Sequence, residues 1–426
     1  MNILIAFPFL LHARVKHGGG QQILRLIKGL HQLGHQIHLL CLSEADPRLF
    51  QSDIDELALY CAEVKIFPRP KLHFYSKIVS FLKPSIPPHA RNLIIPEAKE
   101  YVRSITSSGR VEVAYLVYTA MGEYARCVDR RKCCLLVDTI EIETRKYSML
   151  MKANTTLARR LHAAITHFRT KRYEKKLLEN VDAVVTISRE ETAFIQAFCS
   201  PNKIHIVPSL IDTKEYAPSK HPTDRNSLLF FGSFDHPPNV DSITWFCKEV
   251  FPLITKELPE TTLYIVGANS MKKVGRLKNN NITVVDTVPD IREWIAKAAV
   301  IVSPIVSGGG SRIKNVETLA MGKALVTTSL GAEGLNDSRA LGYFIADTAI
   351  DFAKKVVDLL KDAKLRTNIG DLGRKEIENK HDSLVNSIRL SQLLFELKTS
   401  APCSNDLVCS VFHRENQLKK MPLLLL

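Results

Sequence analysis

The fold of this chain is decided at residues 303–323, which read SPIVSGGGSRIKNVETLAMGK. The apolar residues 300–302 just before this stretch predict a buried strand. After the glycines, apolar residues recur at the spacing of a helix packed on a sheet, at Val316, Leu319 and Ala320. A strand, a glycine turn and a helix in this order predict a βα unit of a parallel sheet. Ligands of such sheets bind at the carboxyl ends of the strands, which is where the glycines fall.

The glycine turn and the start of the helix carry groups that suit a nucleoside diphosphate sugar. Glycines lack a Cβ atom, so a ligand can approach their amides at the helix N-terminus. Arg312 and Lys314 add the positive charge that a diphosphate needs, unless they only mark an exposed helix start. Glu317 can accept hydrogen bonds from the paired hydroxyls of a ribose, and the alternative is an ion pair with Lys314. The predicted backbone contacts to the donor are Gly308, Gly309, Gly310 and Ser311.

The same stretch resembles the C-terminal signature of the retaining glycosyltransferases of family 4, which have the GT-B fold. The form of that signature nearest to this chain reads roughly G-G-T-R-x-K-x-x-E-A-x-A-x-G-x-P-V-V. Residues 230–241, 288–291 and 329–335 also resemble family elements, so the likeness covers residues 228–335. The resemblance implies an α/β protein with two Rossmann-like doubly wound domains that face a cleft. It adds donor contacts at Gly232, Ser233 and Val288.

Two positions depart from the family's pattern. Many members have a first glutamate where this chain has Gly309, and a histidine in the N-terminal cleft where this chain has Ile140. By the same resemblance, Glu141 and Glu143 are candidates to orient the acceptor or to stabilise positive charge on the sugar. The alternative for these two carboxylates is a structural helix cap. The departures leave open a weakened enzyme or a different acceptor.

Short apolar runs alternate with helical patterns along the whole chain, which predicts parallel βαβ units. The predicted strands are 2–7, 36–42, 64–67, 113–118, 133–138, 183–187, 204–207, 228–231, 262–266, 282–285, 299–303 and 324–328. We expect an acceptor-side Rossmann-like domain over 1–208, a linker over 209–227 and a nucleotide-sugar-binding domain over 228–382. A helix at 383–398 is expected to pack back across the junction, and residues 399–426 are expected to form a poorly ordered tail.

A second glycine run follows the first predicted strand. Gly18, Gly19 and Gly20 precede a helix predicted from Gln21 to Leu33. In a two-domain fold the amides of Gly19 and Gly20 would face the cleft and meet the donor's phosphate or sugar. The alternative is a turn that only starts the helix. A dinucleotide site is less favoured, because the spacing is not GxGxxG.

Length and cysteine content narrow the class of protein further. A chain of 426 residues suits two domains, and nine cysteines without CxxC spacing favour reduced thiols in a cytoplasmic protein. The first residues predict a buried strand rather than a secretory signal. No Cys/His cluster has zinc spacing, and Asp53–Asp55 is interpreted as surface charge rather than a DxD metal motif. We therefore expect no metal, and no cofactor besides the nucleotide-sugar co-substrate.

The net charge of +14 is concentrated in the first half of the chain, where residues 1–208 hold 30 Lys and Arg against 19 Asp and Glu. Many of these cations fall on one predicted helix between Arg159 and Lys176. This pattern predicts attraction to the anionic inner face of a membrane or to an anionic acceptor, and a solvated helix face is the alternative. Nucleic acid is not expected as a partner.

These observations predict a glycosyltransferase of the hexosyltransferase type. It would move a sugar from a nucleoside diphosphate donor to a lipid-linked or polysaccharide acceptor without a metal, and the family resemblance implies retention of the anomeric configuration. The catalytic roles fall on Arg312, Lys314 and Glu317. Two alternatives stay open: a catalytically weak GT-B scaffold that binds a nucleotide, and a nucleotide-sugar epimerase on the same fold.

Overall fold

The computed structural model of the protein describes residues 1–12, 18–44, 46, 48, 51–69, 86–152, 156–219, 223–308, 312–335 and 342–400, without the side chains of Asp53, Lys152 and Ser400. Three of the predicted donor-binding residues lie outside this part of the chain: Gly309, Gly310 and Ser311. The predicted tail also lies outside it, except for Thr399 and Ser400, which end the last helix.

The first half of the chain forms a seven-stranded sheet in the order β3-β2-β1-β4-β5-β6-β7, with neighbouring strands parallel. The strands are β1 (Asn2–Phe7), β2 (Gln36–Ser43), β3 (Glu63–Pro68), β4 (Val113–Val117), β5 (Cys134–Asp138), β6 (Ala183–Thr186) and β7 (Ile204–Ile206). Side chains of β1, β4 and β5 enter two hydrophobic cores, one on each face of the sheet. Burial on both faces explains why these strands read as continuous apolar runs.

The second half forms a six-stranded parallel sheet in the order β10-β9-β8-β11-β12-β13. Its strands are β8 (Asp224–Phe231), β9 (Thr262–Val266), β10 (Ile282–Val285), β11 (Ala298–Ser303), β12 (Ala324–Thr327) and β13 (Phe344–Ile345). In both sheets the strand order reverses beside the first strand, between β1 and β4 and between β8 and β11. Such reversal points open a crevice at the carboxyl ends of the strands.

Helices cover both sheets. They are α1 (Gly18–Gln32), α2 (Gln51–Leu57), α3 (Pro88–Arg91), α4 (Pro96–Ser107), α5 (Gly122–Ala125), α6 (Glu143–Lys152), α7 (Leu157–Glu179), α8 (Arg189–Ile195), α9 (Pro237–Trp245), α10 (Phe251–Glu257), α11 (Ser270–Val274), α12 (Ile291–Lys297), α13 (Ile313–Ala320), α14 (Ala349–Lys361), α15 (Ala363–Lys380) and α16 (Ser383–Ser400). In the described part of the chain, no helix has the length and apolar character needed to cross a bilayer. The cysteines described there are free thiols.

The structure confirms the predicted strands to within a few residues, with two differences. Strand β13 was not predicted, because two residues are too few to show a pattern. Strand β8 begins at Asp224, so residues 224–227 of the predicted linker belong to the second sheet. Helix α1 also differs, since it begins at Gly18 rather than Gln21. Glycine is a poor helix former in isolation, and here neighbouring side chains pack close to these residues.

The last helix returns to the first sheet. Helix α16 lies against α1, and its Leu390, Leu393 and Leu394 belong to the hydrophobic core that also contains Ile23. The segment before it is tied to the connection between the sheets, where Ile211 pairs with Asp382 in an isolated bridge. The two sheets are therefore joined both by the chain between them and by the terminal helix.

Candidate active site

The candidate site lies where the loops after β1 and β11 meet. A Cβ atom on Gly18 would lie 3.0 Å from Ile313 Cδ1, so the N-terminal ends of α1 and α13 are in contact. Gly19 is approached even more closely, because a Cβ atom there would lie 1.9 Å from the hydroxyl oxygen of Tyr118. Gly20 is buried behind them. The glycine run therefore serves close packing of two helix ends, and both ends present amides with a partial positive charge.

Arg312 is held against the glycine loop that precedes α13. Its Nη2 donates to the carbonyl oxygen of Gly308 at 2.9 Å, and its Nε lies 3.4 Å from the carbonyl oxygen of Leu330. Gly308 has φ of 92°, and a Cβ atom there would lie 2.7 Å from Pro238 Cγ, so only glycine fits. Burial lowers the pKa of the guanidinium from its ordinary value. Arg312 thus fixes the loop and brings a desolvated positive charge to the cleft.

Lys314 lies on the first turn of α13 beside the loop that follows β8. Its Nζ donates to Asn239 Oδ1 at 3.0 Å and lies 4.2 Å from the ring centre of Phe230. Asn239 in turn donates to the carbonyl oxygen of Ser233 at 2.8 Å, next to Gly232. Loss of solvation is the larger cause that lowers the pKa of Lys314 to about 7, and repulsion from Arg312 is the smaller one. The structure therefore brings Ser233 and both predicted cations together around one loop.

Glu317 is buried between the two halves of the molecule. Its Oε1 lies 3.6 Å from Arg25 Nη2 on α1, and it accepts a hydrogen bond from the Tyr216 hydroxyl. Burial raises the pKa of this carboxyl, while Arg25 and Tyr216 act in the opposite direction. Glu317 therefore forms an ion pair with Arg25 of the first domain. The alternative interpretation of the sequence, an ion pair with Lys314, is not what the structure shows. A carboxylate has about four acceptor positions, so these contacts leave capacity for ribose hydroxyls.

The carboxylates Glu141 and Glu143 meet Lys146 at the start of α6. Lys146 Nζ lies 3.6 Å from Glu141 Oε1 and 3.2 Å from Glu143 Oε1. Burial raises the pKa of Glu141, which also interacts electrostatically with His236 of the opposite domain. Buried Glu174 accepts from the backbone amide of Glu143 at 3.2 Å and so holds the start of α6. The carboxylate of Glu174 on α7 thus caps the start of α6.

Ile140 and Val288 both pack against hydrophobic cores. Ile140 is 3% exposed and belongs to the hydrophobic core that contains Ile5 and Tyr115. The side chain at the position where the resemblance predicts a histidine therefore packs in the core. Val288 follows β10 and packs, partly buried, against the core of the second sheet, together with Ile291.

An ion pair that the sequence did not suggest spans the cleft. Arg145 Nη2 on α6 donates to Glu333 Oε1 at 2.6 Å, across 188 residues of sequence. Glu191 and Arg312 interact electrostatically with both members of this pair. Burial raises the pKa of Glu191 to about 8. Glu333 lies in the family-like segment 329–335, but no local pattern marks Arg145 as its partner from the other half, or Arg25 as the partner of Glu317.

The carboxylate pattern gives no metal site in the described part of the chain. No group of three or more His, Cys, Asp or Glu side chains there could hold a metal ion. Asp55 of the DxD-like motif accepts a hydrogen bond from Gln51 at 2.7 Å on the surface of α2, and the side chain of Asp53 lies outside the described residues.

Comparison with known proteins agrees with this geometry. Residues 225–362 match the family model described as glycosyl transferases group 1. This chain is a glycosyltransferase with the GT-B fold. A curated relative, described as an uncharacterized 44.6 kDa protein in the cps region of Klebsiella pneumoniae, is 22% identical over 385 residues, which cover 86% of this chain and 93% of the relative.

Solved glycosyltransferase structures share the whole two-domain arrangement. Sucrose-phosphate synthase from Thermosynechococcus elongatus has a TM-score of 0.68 at 15% identity, covering 93% of this chain and 100% of its own. Anabaena HepE in complex with UDP and glucose has a TM-score of 0.62 at 13% identity, covering 93% and 100%. WaaG, described as involved in lipopolysaccharide biosynthesis, has a TM-score of 0.61 at 13% identity, covering 92% and 99%.

Proposed function

We propose that this glycosyltransferase is a retaining enzyme of family 4 that transfers a hexosyl group from a nucleoside diphosphate sugar to a lipid-linked or polysaccharide acceptor, without a metal. The observation that carries the proposal is the pair Arg312 and Lys314 at the N-terminal end of α13. Both side chains are desolvated, and burial disfavours the charged form of each. An anion bound between them would repay this cost, and a diphosphate supplies the charge.

The donor would lie along the loop after β11, with its diphosphate at Arg312 and Lys314 and its ribose at Glu317. The amides of Gly308, Gly309, Gly310 and Ser311 would complete the phosphate contacts, with Gly19 and Gly20 opposite them and Gly232, Ser233 and Val288 along the loops nearby. The UDP and glucose bound by the structurally similar HepE support a uridine nucleotide as the first donor to test.

Transfer would depend on stabilising the leaving diphosphate. Negative charge on the departing phosphate increases as the glycosidic bond breaks, so Arg312 and Lys314 would bind the transition state more strongly than the ground state. For retention, the leaving phosphate would accept the acceptor's proton on the same face of the sugar. Glu141, held beside Lys146, would orient the acceptor hydroxyl or balance positive charge on the sugar.

The acceptor side would be formed by the start of α6, where Glu141 and Glu143 lie. A lipid-linked acceptor is supported by the fold shared with WaaG, whose description names lipopolysaccharide biosynthesis. It is also supported by the positive charge of the first half of the chain, which favours work at the inner face of an anionic membrane.

One series of measurements tests the proposal. Thermal-shift screening against UDP-, GDP-, ADP-, CMP- and dTDP-sugars identifies the donor, and NMR of the released sugar then reports donor hydrolysis and its anomer. We expect slow hydrolysis with retention, unaffected by EDTA. Nucleotide binding without turnover would instead identify a scaffold, and appearance of an epimeric nucleotide sugar would identify an epimerase.

A further inference from the structure

A cavity with a volume of about 300 Å³ lies in the first domain between α5 and α7. Its walls include Tyr173 and Leu177 of α7 and Leu135 of β5, and we call it the α5–α7 cavity. The lining residues Arg130 and Asn180 precede β5 and β6, so the cavity reaches the amino edge of the sheet, opposite the cleft. Its volume is at the lower end of that of small-ligand sites, which suits one small molecule.

The hydroxyl group of Tyr173 lies against this cavity without an acceptor for its proton. Tyr173 is 8% exposed, and within the described part of the chain its hydroxyl makes no hydrogen bond of normal geometry, although the amide of Glu123 approaches the oxygen as a donor. A Cβ atom on Gly122, which also lines the cavity, would lie 2.7 Å from this oxygen. Burial is the main cause that raises the pKa of Tyr173 well above its ordinary value, so the hydroxyl keeps its proton. A ligand oxygen that accepts this proton would remove the cost of an unpaired buried donor.

Glu123 brings a carboxylate to the same wall of the cavity. The residue is 4% exposed, and its Oε2 lies 3.8 Å from Arg126 Nη1, which is longer than a hydrogen bond. A carboxylate that has lost most of its water is stabilised by donors at hydrogen-bond distance. The hydroxyl groups of a ligand would supply them. Tyr173 and Glu123 together therefore suit a molecule that both accepts and donates hydrogen bonds.

Cations surround the outer end of the cavity. Arg126, Arg130 and Lys176 line it, and all three are exposed. Arg130 forms an ion pair with Asp182, which holds its side chain in place. These three cations outnumber Glu123 and Asp182, the two carboxylates beside them. An anionic group would therefore be attracted to the outer end, where Arg and Lys side chains commonly bind phosphate.

We propose that the α5–α7 cavity is a second ligand site, which binds a phosphorylated monosaccharide. The phosphate would lie at the outer end with Arg126 and Lys176. The sugar hydroxyls would donate to Glu123, and Tyr173 would donate to a sugar oxygen. A phosphate ion alone would leave the two buried groups without partners, and a sugar without phosphate would leave the cations without one.

Both walls of the cavity continue into residues that hold the cleft. Thr119, three residues before Gly122, donates from its Oγ1 to Glu174 Oε1 at 2.7 Å. Glu174 directly follows Tyr173 and caps the start of α6. A ligand that fixes Tyr173 and Gly122 would therefore also fix the start of α6, on the acceptor side of the cleft. We expect such a ligand to change the rate of transfer, a consequence that rests on the proposed function.

The chain between the cavity and the cleft has an unusual backbone at Tyr118. This residue has φ of 69°, in the left-handed region that side chains other than glycine rarely adopt. Its hydroxyl lies next to Gly19 of α1, where a Cβ atom would be 1.9 Å away. Such backbone persists where the surrounding structure fixes it, and it is common at functional sites. The short segment from Tyr118 to Gly122 thus extends from the cleft to the cavity.

The first test is isothermal titration calorimetry of the full chain with the 1-phosphates and 6-phosphates of glucose, galactose and mannose. Inorganic phosphate, unphosphorylated glucose and glycerol 3-phosphate, which represents a lipid headgroup, are the comparison ligands. We expect at least one sugar phosphate to bind more tightly than all three. Equal affinity for inorganic phosphate or glycerol 3-phosphate would show that only the anion is recognised, and the proposal would then be wrong. Absence of binding by every sugar phosphate would also overturn it.

Two variants test the residues of the cavity. Tyr173→Phe removes only the buried hydroxyl and should weaken sugar-phosphate binding about fivefold. Lys176→Met changes an exposed side chain, so the fold is retained, and it should weaken binding about threefold. Lys175→Met is the matched control, because Lys175 is the neighbouring exposed lysine of α7 and is not among the lining residues, so it should bind as wild type. Wild-type affinity in both Tyr173→Phe and Lys176→Met would contradict the proposal.

Arg312→Ala shows where the sugar phosphate binds. Arg312 lies in the cleft, so its loss should leave this binding unchanged. Loss of binding in Arg312→Ala, with intact binding in Tyr173→Phe, would place the sugar phosphate in the cleft and overturn the proposal.

Donor hydrolysis measures the connection between the two sites. Saturating sugar phosphate should change the wild-type rate several-fold, the usual size of coupling between sites. The same concentration should have a smaller effect on Tyr173→Phe. Binding without any change in rate would overturn the connection to α6. A protein that binds the sugar phosphate at the α5–α7 cavity but shows no hydrolysis would retain this site and lose the proposed transfer function.

Discussion

Donor affinity is expected to fall as the pH rises through 7, and Lys314 is expected to be the cause. Desolvation and the nearby Arg312 lower the pKa of Lys314 to about 7, and its Nζ has the neutral side-chain oxygen of Asn239 as a hydrogen-bond partner. A bound diphosphate would stabilise the charged form and raise this pKa. Above pH 7 the lysine must then take up a proton before or during binding, so the apparent affinity decreases.

The size of the effect follows from the pKa. If only the charged lysine binds the donor, the dissociation constant is proportional to one plus the ratio of neutral to charged Lys314. Between about pH 6.5 and about pH 8.5 it rises about 25-fold, or about 1.9 kcal/mol. At about pH 8 the complex should take up about 0.9 proton from the buffer. The intact nucleoside diphosphate sugar is the appropriate ligand. Both of its phosphates are esterified, so they do not titrate in this pH range.

Isothermal titration calorimetry in buffers of different ionisation enthalpy measures both quantities. Lys314→Met should bind weakly at every pH and show neither the pH dependence nor this proton uptake. Lys323→Met is the matched control, because burial lowers the pKa of Lys323 to about 8, while its Nζ donates to the carbonyl oxygen of Ala298. Affinity that is constant across this pH range in the wild type, without proton uptake, would refute the reasoning.

Three further outcomes are expected. Glu317→Gln should weaken donor binding by about 1–3 kcal/mol, the cost of a charge-assisted hydrogen bond, and unchanged affinity in the folded variant would exclude the ribose role. Arg312→Ala should lower turnover as well as affinity, while EDTA leaves wild-type transfer intact; loss of transfer that manganese restores would contradict metal-free catalysis. Burial raises the pKa of Glu191 from 4.5 to about 8, so between these pH values the folded protein keeps a proton that the unfolded chain releases. The contribution of Glu191 to the free energy of unfolding is therefore fully present below about pH 4.5 and is lost as the pH rises through 8. Melting curves should therefore show Glu191→Gln gaining stability relative to wild type from pH 5 to pH 8.5, and a constant difference would rule out this titration.

Local patterns were sufficient for every strand of the two sheets except β13, and for the part of the candidate site that lies on one stretch of chain. Buried parallel strands are apolar on both faces, so runs such as β1 and β11 are visible in the sequence alone. The turn at Gly308 and the helix that begins with Ile313 were visible for the same reason, since their residues are neighbours in the chain. Helix α7 was also predicted, but only its cations were interpreted, because exposed and buried apolar residues have the same spacing.

The sequence by itself therefore determined the α/β architecture, the glycine turn and the positive charge that a donor diphosphate needs. Only the tertiary structure decided that Glu317 pairs with Arg25, that Arg145 pairs with Glu333, and that Tyr173 of α7 lines a cavity. Strand and turn formation depends on residues a few positions apart. Contacts across the cleft depend on how the two sheets are oriented relative to each other. The spacing of residues along the chain does not predict that orientation.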